Sequence, residues 1–244
     1  MTEPFIVIIP ARLASTRLPG KVLLEIADKP LLQHVHTTAC QSKASKVLVA
    51  TDSRQVFDAA VAFGAECIMT SPEHSSGTDR LAEVVAILGL ADDDVIVNLQ
   101  GDEIGMPAQL VNQVAELLLK NPSAPMATLC EPVREVSDIT DPNIVKLVFD
   151  INSKAMYFSR SPIPWSNKGA ATDYFRHIGL YAYRAGFLSE FSRMPKCPLE
   201  QSESLEQLRA LYHGADILVE EACMPCGLGI DTGEDLERAR KRFA

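Results

Sequence analysis

Apolar residues follow two alternating patterns through the first hundred positions. An unbroken run occupies residues 5–9 (Phe5-Ile6-Val7-Ile8-Ile9, ended by Pro10), and nearly continuous ones residues 47–51, 66–70 and 95–99. Runs of this kind, rich in β-branched residues, suit strands buried on both faces of a parallel sheet. Between them the spacing changes to that of a helix. Val56, Ala59, Ala60 and Phe63 stand at i, i+3, i+4 and i+7, with Ser53 as N-cap and Gly64 as stop. Leu81, Val84, Val85 and Leu88 repeat the pattern, with Thr78 as the expected cap and Gly89 as the stop. Strand and helix in alternation predict an α/β fold: a doubly wound, mostly parallel sheet with helices on both faces. In such sheets ligands bind beyond the carboxyl ends of the strands.

The second half is less regular. Residues 144–149 and 177–183 read as strands, and Ser161-Pro162-Ile163-Pro164-Trp165 excludes both a helix and a central strand. Residues from about 126 to 182 are therefore expected to form a smaller, β-rich lobe or arm within one domain spanning 1–244. Helical spacing returns at 205–211 and 234–243, where Leu236, Ala239 and Phe243 make the apolar stripe.

Composition narrows the function classes. Of 244 residues, 47% are hydrophobic and 23% charged, which excludes a disordered or collagen-like chain. No apolar run approaches the ~18 residues of a membrane span. The start carries no basic segment or secretory core, so a cytoplasmic protein with its six cysteines reduced is expected. A net charge of −9 disfavours general binding to nucleic acid or to an anionic membrane. A polyanionic ligand would need a local basic patch.

One segment supplies that patch. Pro10-Ala11-Arg12-Leu13-Ala14-Ser15-Thr16-Arg17-Leu18-Pro19-Gly20-Lys21 follows the first strand directly. Arg12, Arg17 and Lys21 bring three cations with no acid among residues 11–24, and small residues let the backbone approach phosphate oxygens. The pattern describes a polyphosphate clamp, with a solvated basic loop as the alternative. It is not a Walker loop, because Ser15 and Val22 stand where a glycine and a Ser or Thr are required.

Other segments are weaker taken singly. Leu99-Gln100-Gly101-Asp102-Glu103 ends another strand, and an aspartate there suits a hard cation such as Mg²⁺ or an ordinary turn. Gly229-Ile230-Asp231-Thr232 puts Asp231 just before a helix start capped by Thr232. The glycines around it do not match the dinucleotide fingerprint. Ser75-Ser76-Gly77-Thr78-Asp79-Arg80 opens a helix and could hold an anion or a base edge, though plain capping also explains it. Cys223 and Cys226 lack a second ligand pair, so they read as incidental thiols. Neither an HExxH zinc motif nor a GxSxG elbow is present.

Taken together and in order, these segments resemble the CMP-Kdo synthetase (3-deoxy-manno-octulosonate cytidylyltransferase) family. The resemblance rests on residues 9–21, on Val49-Ala-Thr-Asp52, Ser76-Gly-Thr-Asp-Arg80 and Val97-Asn-Leu-Gln-Gly-Asp-Glu103. Tyr157-Phe-Ser-Arg-Ser161, residues 176–184, Leu205-Glu-Gln-Leu-Arg209 and Gly229-Ile-Asp-Thr232 extend it across the chain. It implies a nucleotidyltransferase-like fold and a cytosolic, Mg²⁺-dependent homodimer built on the smaller lobe. The implied reaction transfers CMP from CTP to Kdo, with release of pyrophosphate, for lipopolysaccharide assembly. Carried over by motif, Ala11, Arg12, Ser15, Arg17 and Lys21 would hold the triphosphate, and Ser76, Gly77 and Arg80 the cytosine and ribose. Asp102 and Asp231 would hold magnesium. Arg12, Lys21 and the two aspartates would carry catalysis. Gln100, Arg160, His177, Tyr183, Glu206 and Gln207 would line the sugar site, with Arg160 on the sugar carboxylate. The apolar Phe158, Ile163 and Trp165 are expected at the dimer contact. Departures from the family pattern are Leu13, Ile104-Gly105 and a short stretch at 165–174. Alternatives are the same reaction on 8-amino-Kdo, a CMP-sialate synthetase, or a nucleotide-binding protein without turnover.

Overall fold

The structure is a computed structural model that describes residues 4–15, 18–167, 173–230 and 232–243. Its centre is a nine-stranded sheet. In chain order the strands are β1 (Phe5–Pro10), β2 (Lys46–Thr51), β3 (Glu66–Met69), β4 (Val95–Asn98), β5 (Met126–Pro132), β6 (Lys146–Phe149), β7 (Ala155–Ser159), β8 (Phe175–Arg184) and β9 (Ile217–Glu221). They lie in the order β7-β6-β8-β4-β1-β2-β3, with β5 beside β8 and β9 beside β5.

β1, β2, β3 and β4 pair in parallel, as the apolar runs predict. Their residues alternate between two cores: Val7, Ile9, Val49, Val95 and Val97 face one, and Ile8, Leu48, Ala50 and Ile96 the other. Helices α1 (Leu31–Cys40), α2 (Arg54–Ala62), α4 (Ala108–Leu119) and α9 (Gly233–Phe243) cover the first core. α3 (Gly77–Leu88), α6 (Ala185–Phe191) and α8 (Gln207–Tyr212) cover the second. Two short helices, α5 (Val136–Thr140) and α7 (Pro198–Glu203), complete the set.

Two expectations are corrected. The segment 126–182 is not a lobe of its own, because β5 and β8 belong to the central sheet. β8 pairs antiparallel with β4, β5 and β6 at once. The excursion between β5 and β8 itself carries β6 and β7, which extend the same sheet beside β8. Phe158 is fully buried, packed edge-on to His177 at 5.1 Å between centroids, so it is not available to a partner. Trp165, in contrast, is 81% exposed, and Ile163 is half-buried. A third difference is local: α3 is capped by Ser76 rather than Thr78. Ser76 and Asp79 form a reciprocal capping box, and only the residue three before the acid can complete it.

Candidate active site

Three segments converge beyond the carboxyl ends of the parallel strands. The first follows β1. Ala11 continues the sheet, its N–H donating to Ala50 O at 2.9 Å. The loop then closes on itself where Gly20 N–H donates to Leu13 O at 3.1 Å, with Gly20 at φ 68°. That left-handed turn aims Lys21 back at the strand ends. The second segment follows β4. A Cβ on Gly101 would stand 3.0 Å from Pro10 O and 3.4 Å from the Ala11 side chain. Glycine there lets the Asp102 segment lie against the clamp loop. The third is the first turn of α3, where Gly77 packs on Pro10.

Between them lies a cleft of about 190 Å³. Ala11, Arg12, Ser15 and Lys21 line it from the first loop, Ser76, Gly77 and Arg80 from α3, and Gln100, Gly101 and Asp102 from the loop after β4. Every described residue expected at the nucleotide is thus brought into one cavity. Arg17 and Asp231 lie outside the described residues.

Charge is arranged with care in this cleft. Lys21 forms an ion pair with Asp102, the side chains being 13% and 26% exposed, and also donates to Ile230 O at 3.1 Å. Ile230 N–H in turn donates to Asp102 O at 3.0 Å, so the segments around 102 and 230 are joined through their backbones. Arg80 is almost fully buried; it donates to Asp52 at 2.8 Å and to Thr70. Its charge is neutralised from behind, and the guanidinium is fixed in direction.

The residues expected at the sugar do not all reach this cleft. Gln100 does, and its Nε2 donates to Asn98 Oδ1 at 3.3 Å. Glu206 lines an adjoining cavity of about 430 Å³, which shares Arg12 and Ser76 with the cleft. Tyr183 is buried, with its hydroxyl beside Thr78 and Asn98 and its pKa raised by burial. Gln207 is buried at the start of α8. His177 Nε2 lies 3.0 Å from Thr128 Oγ1. The single Thr128 proton goes to a backbone carbonyl, of Ile178 or Leu180, so the imidazole is the donor. Burial pushes the His177 pKa down to about 3, which keeps the ring neutral.

Arg160 is largely committed to the fold. Its Nε donates to Glu203 O and its Nη1 to Pro142 O, each at 2.8 Å. Nη2 makes no hydrogen bond among the described residues, and Nη1 keeps a second N–H, so the outer edge of the guanidinium is left for a carboxylate.

Three contributors were not foreseen. His74 lines the cleft and is held by Glu83 at 2.5 Å. Its position two residues before Ser76 was the available signal. Asp52 orients Arg80 from a motif already noticed. Lys196 lines the adjoining cavity, and nothing local in the sequence marks it. Cys226 is a neighbour of Glu131 and Arg176, and burial pushes its thiol pKa up to about 12, so it is not a thiolate at neutral pH.

Among the described residues, no helix is long and apolar enough to cross a membrane. Residues 6–217 match the family model described as cytidylyltransferase. The 3-deoxy-manno-octulosonate cytidylyltransferase of Marinobacter nauticus is 53% identical, covering 97% of this chain and 95% of its own. That of Pseudomonas fluorescens is 50% identical, with 99% and 98% covered. A solved structure of CMP:2-keto-3-deoxy-manno-octonic acid synthetase, complexed with CTP, superposes with a TM-score of 0.92 at 41% identity and 98% coverage of both chains. A 4-diphosphocytidyl-2C-methyl-D-erythritol synthase, at 16% identity and a TM-score of 0.66, shares the fold with 99% and 98% covered. With a clamp loop, an aspartate and a helix start meeting in one cleft, and with these relatives matching end to end, the chain belongs to the cytidylyltransferase family, among the 3-deoxy-manno-octulosonate cytidylyltransferases.

Proposed function

We propose that the chain transfers CMP from CTP to Kdo, releasing pyrophosphate, to supply lipopolysaccharide assembly in the cytoplasm. The observation that carries this reading is the Lys21–Asp102 pair in a cleft walled by Arg12, Ser15 and the start of α3. The anomeric hydroxyl of the sugar attacks the α-phosphorus of CTP, and the bond to the pyrophosphate oxygen breaks. Both reactants are anionic, so neutralising and aligning charge dominates the rate. Arg12 and Lys21, with Arg17, stabilise the leaving pyrophosphate. The backbone N–H of Gly77, at the start of α3, is suited to an anionic or carbonyl acceptor on the nucleotide, while that of Ser76 is held by Asp79 in the capping box. Arg80, fixed by Asp52, faces the same ligand. Gln100, Tyr183, Glu206 and Gln207 serve the sugar end, with His177 as a neutral donor behind them and Arg160 on the sugar carboxylate.

The donor set fits Mg²⁺, since Asp102 offers hard carboxylate oxygens at the strand end and Asp231 is the second candidate ligand. Bound there with the triphosphate, the ion would supply charge neutralisation at the α-phosphate and lower the pKa of the attacking hydroxyl. In its absence Lys21 balances the charge of Asp102.

Mass spectrometry of products from CTP, Mg²⁺ and either Kdo or 8-amino-Kdo tests the reaction. CMP-Kdo and pyrophosphate are expected. Turnover of 8-amino-Kdo alone would reassign the sugar, and CTP binding without turnover would overturn the reading. A homodimer burying Trp165 is part of the same proposal, and light scattering giving 26.6 kDa at micromolar concentration would refute it.

A further inference from the structure

The first two residues of α3 are used differently. Gly77 lines the nucleotide cleft, whereas Thr78 is 2% exposed and has no part in the capping box. The Thr78 hydroxyl instead donates to Glu206 Oε2 at 2.6 Å, across 128 residues of sequence. A hydroxyl-to-carboxylate bond of this length is charge-assisted and directional. The other carboxylate oxygen, Glu206 Oε1, is withdrawn from water and accepts no hydrogen bond among the described residues. Its neighbour Arg209 stands 3.6 Å away, but that guanidinium is committed elsewhere. It makes a forked pair with Glu200 and lies 4.7 Å over the Phe191 ring. The Ser76 side chain also stands beside this carboxyl, so Glu206 has Oε2 fixed by Thr78 and Oε1 without a hydrogen bond of good geometry among the described residues, in a residue that lines the cavity adjoining the cleft. A bare buried acceptor of this kind costs free energy that a ligand hydroxyl would return.

Resting on the assignment of Glu206 to the sugar, we infer that Thr78 is a positioning residue for the acceptor sugar. It ties the Glu206 carboxylate to the helix whose first turn walls the nucleotide cleft. A glutamate held only by its stem would sweep its oxygens over a wide arc, and the sugar would bear the cost of ordering it. With Oε2 pinned by Thr78, Oε1 is set before the sugar arrives. The pin also sets it relative to Ser76 and Gly77, and hence to the nucleotide. Tyr183 backs this contact, since its hydroxyl lies beside Thr78 on one side and beside Asn98, the acceptor for Gln100, on the other. Both sugar-side amide and sugar-side carboxylate thus refer to a common buried group.

The test uses Thr78→Val, Thr78→Ser, Glu206→Gln and the double variant Thr78→Val/Glu206→Gln in the full-length protein. Initial rates are measured with each substrate varied against a saturating partner, and CTP binding alone by calorimetry. Thr78→Val, which keeps shape and removes the donor, is expected to raise the sugar KM about tenfold, the scale of one charged hydrogen bond, with the CTP KM and Kd within about twofold. Thr78→Ser should restore the sugar KM to within about twofold, which a loss of packing would not do. The double variant should be no worse than Glu206→Gln. Equal rises in both KM values, no rescue by serine, or additive losses would overturn the inference. An unchanged sugar KM in Glu206→Gln, beside a raised one in Thr78→Val, would overturn it too, by showing that Thr78 acts by another route. If neither variant moves the sugar KM, the assignment of Glu206 itself has failed.

Discussion

Lys21 and Lys146 are both withdrawn from solvent, yet they sit in opposite kinds of surroundings. Lys21, at the end of the parallel half of the sheet, meets the Asp102 carboxylate and Ile230 O in a cleft that solvent still reaches. Lys146, in the antiparallel half, is 0% exposed. Its Nζ donates to Asp141 O, Ile144 O and Arg160 O at 2.8, 2.6 and 2.7 Å, which uses all three protons. Burial lowers the Lys146 pKa, the expected sign for a cation held by dipoles rather than by an adjacent countercharge. A partner such as Asp102 can be exchanged for a phosphate or a metal without unfolding anything. Three backbone carbonyls cannot be exchanged. The same residue type is therefore poised for chemistry in one region and fastens an excursion of the chain in the other.

The sharpest way to break that distinction is to remove each amine. Lys21→Ala should lower kcat by roughly 30- to 1000-fold, about 2–4 kcal/mol on the scale of lost electrostatic stabilisers, while the melting temperature stays nearly fixed. Turnover near that of the parent would end its role in the clamp. Lys146→Met should do the reverse. Three carbonyls lose their donor, and at ~1–3 kcal/mol for each unsatisfied group a loss of about 3 kcal/mol is expected in urea unfolding. A stability like the parent's would mean that the carbonyls find other donors and that the fastening is dispensable.

A smaller effect comes from pH. His177 has a native pKa of about 3 against an ordinary 6.5. The unfolded chain takes up the proton first as pH falls, so the stability from neutral, buried His177 is complete above pH ~6.5 and is lost toward pH 3. At pH 5 the loss should reach about 2 kcal/mol at most, from 1.36 kcal/mol per pH unit. His177→Gln should flatten this part of the stability curve; an unaltered slope would show that other groups set it. The smallest effect is at Arg160, which links the two regions because its carbonyl caps Lys146. Arg160→Lys should raise the sugar KM by about three- to tenfold and leave the CTP KM alone, one charged contact being worth about 1 kcal/mol. Equal rises would make it a purely structural residue.

The parallel half was legible in the sequence because β1, β2 and β4 are buried on both faces and so write themselves as nearly continuous apolar runs, with β3 a partly exposed edge strand. The antiparallel half was less so. β5 ends in Glu131-Pro132, and its hydrogen-bond partners lie at 175–183 and 217–221, too distant for any local pattern to reveal. α1 begins after Pro30 without a side-chain cap and carries two histidines and two threonines, so propensity hides what tertiary packing enforces. At the site, the clamp loop, the α3 turn and Gln100-Gly101-Asp102 could be read because each abuts a strand end. Thr78, Asp52 and Glu83 act through other side chains, and a sequence does not display such second contacts. Arg160 was assigned from a motif, which names the residue but not the two carbonyls that already hold it.

One further consequence follows from the seam that β8 fills. β4 pairs with β1 on one edge and waits for β8 on the other, and among the described residues β5 has as neighbours only β8 and β9, both later in the chain. On the ribosome, the buried, apolar residues of β4 and β5 are therefore made well before the strand that covers them. Unpaired apolar edges of this kind template wrong pairings. The hazard runs from the completion of β5 at residue 132 to that of β9 at residue 221, and is greatest before β8 is complete at residue 184. Slow decoding within that interval would lengthen the exposure and cost soluble yield, whereas a pause after β9 would be harmless. The strand that unites the two halves of the enzyme is thus also the step at which the nascent chain escapes aggregation.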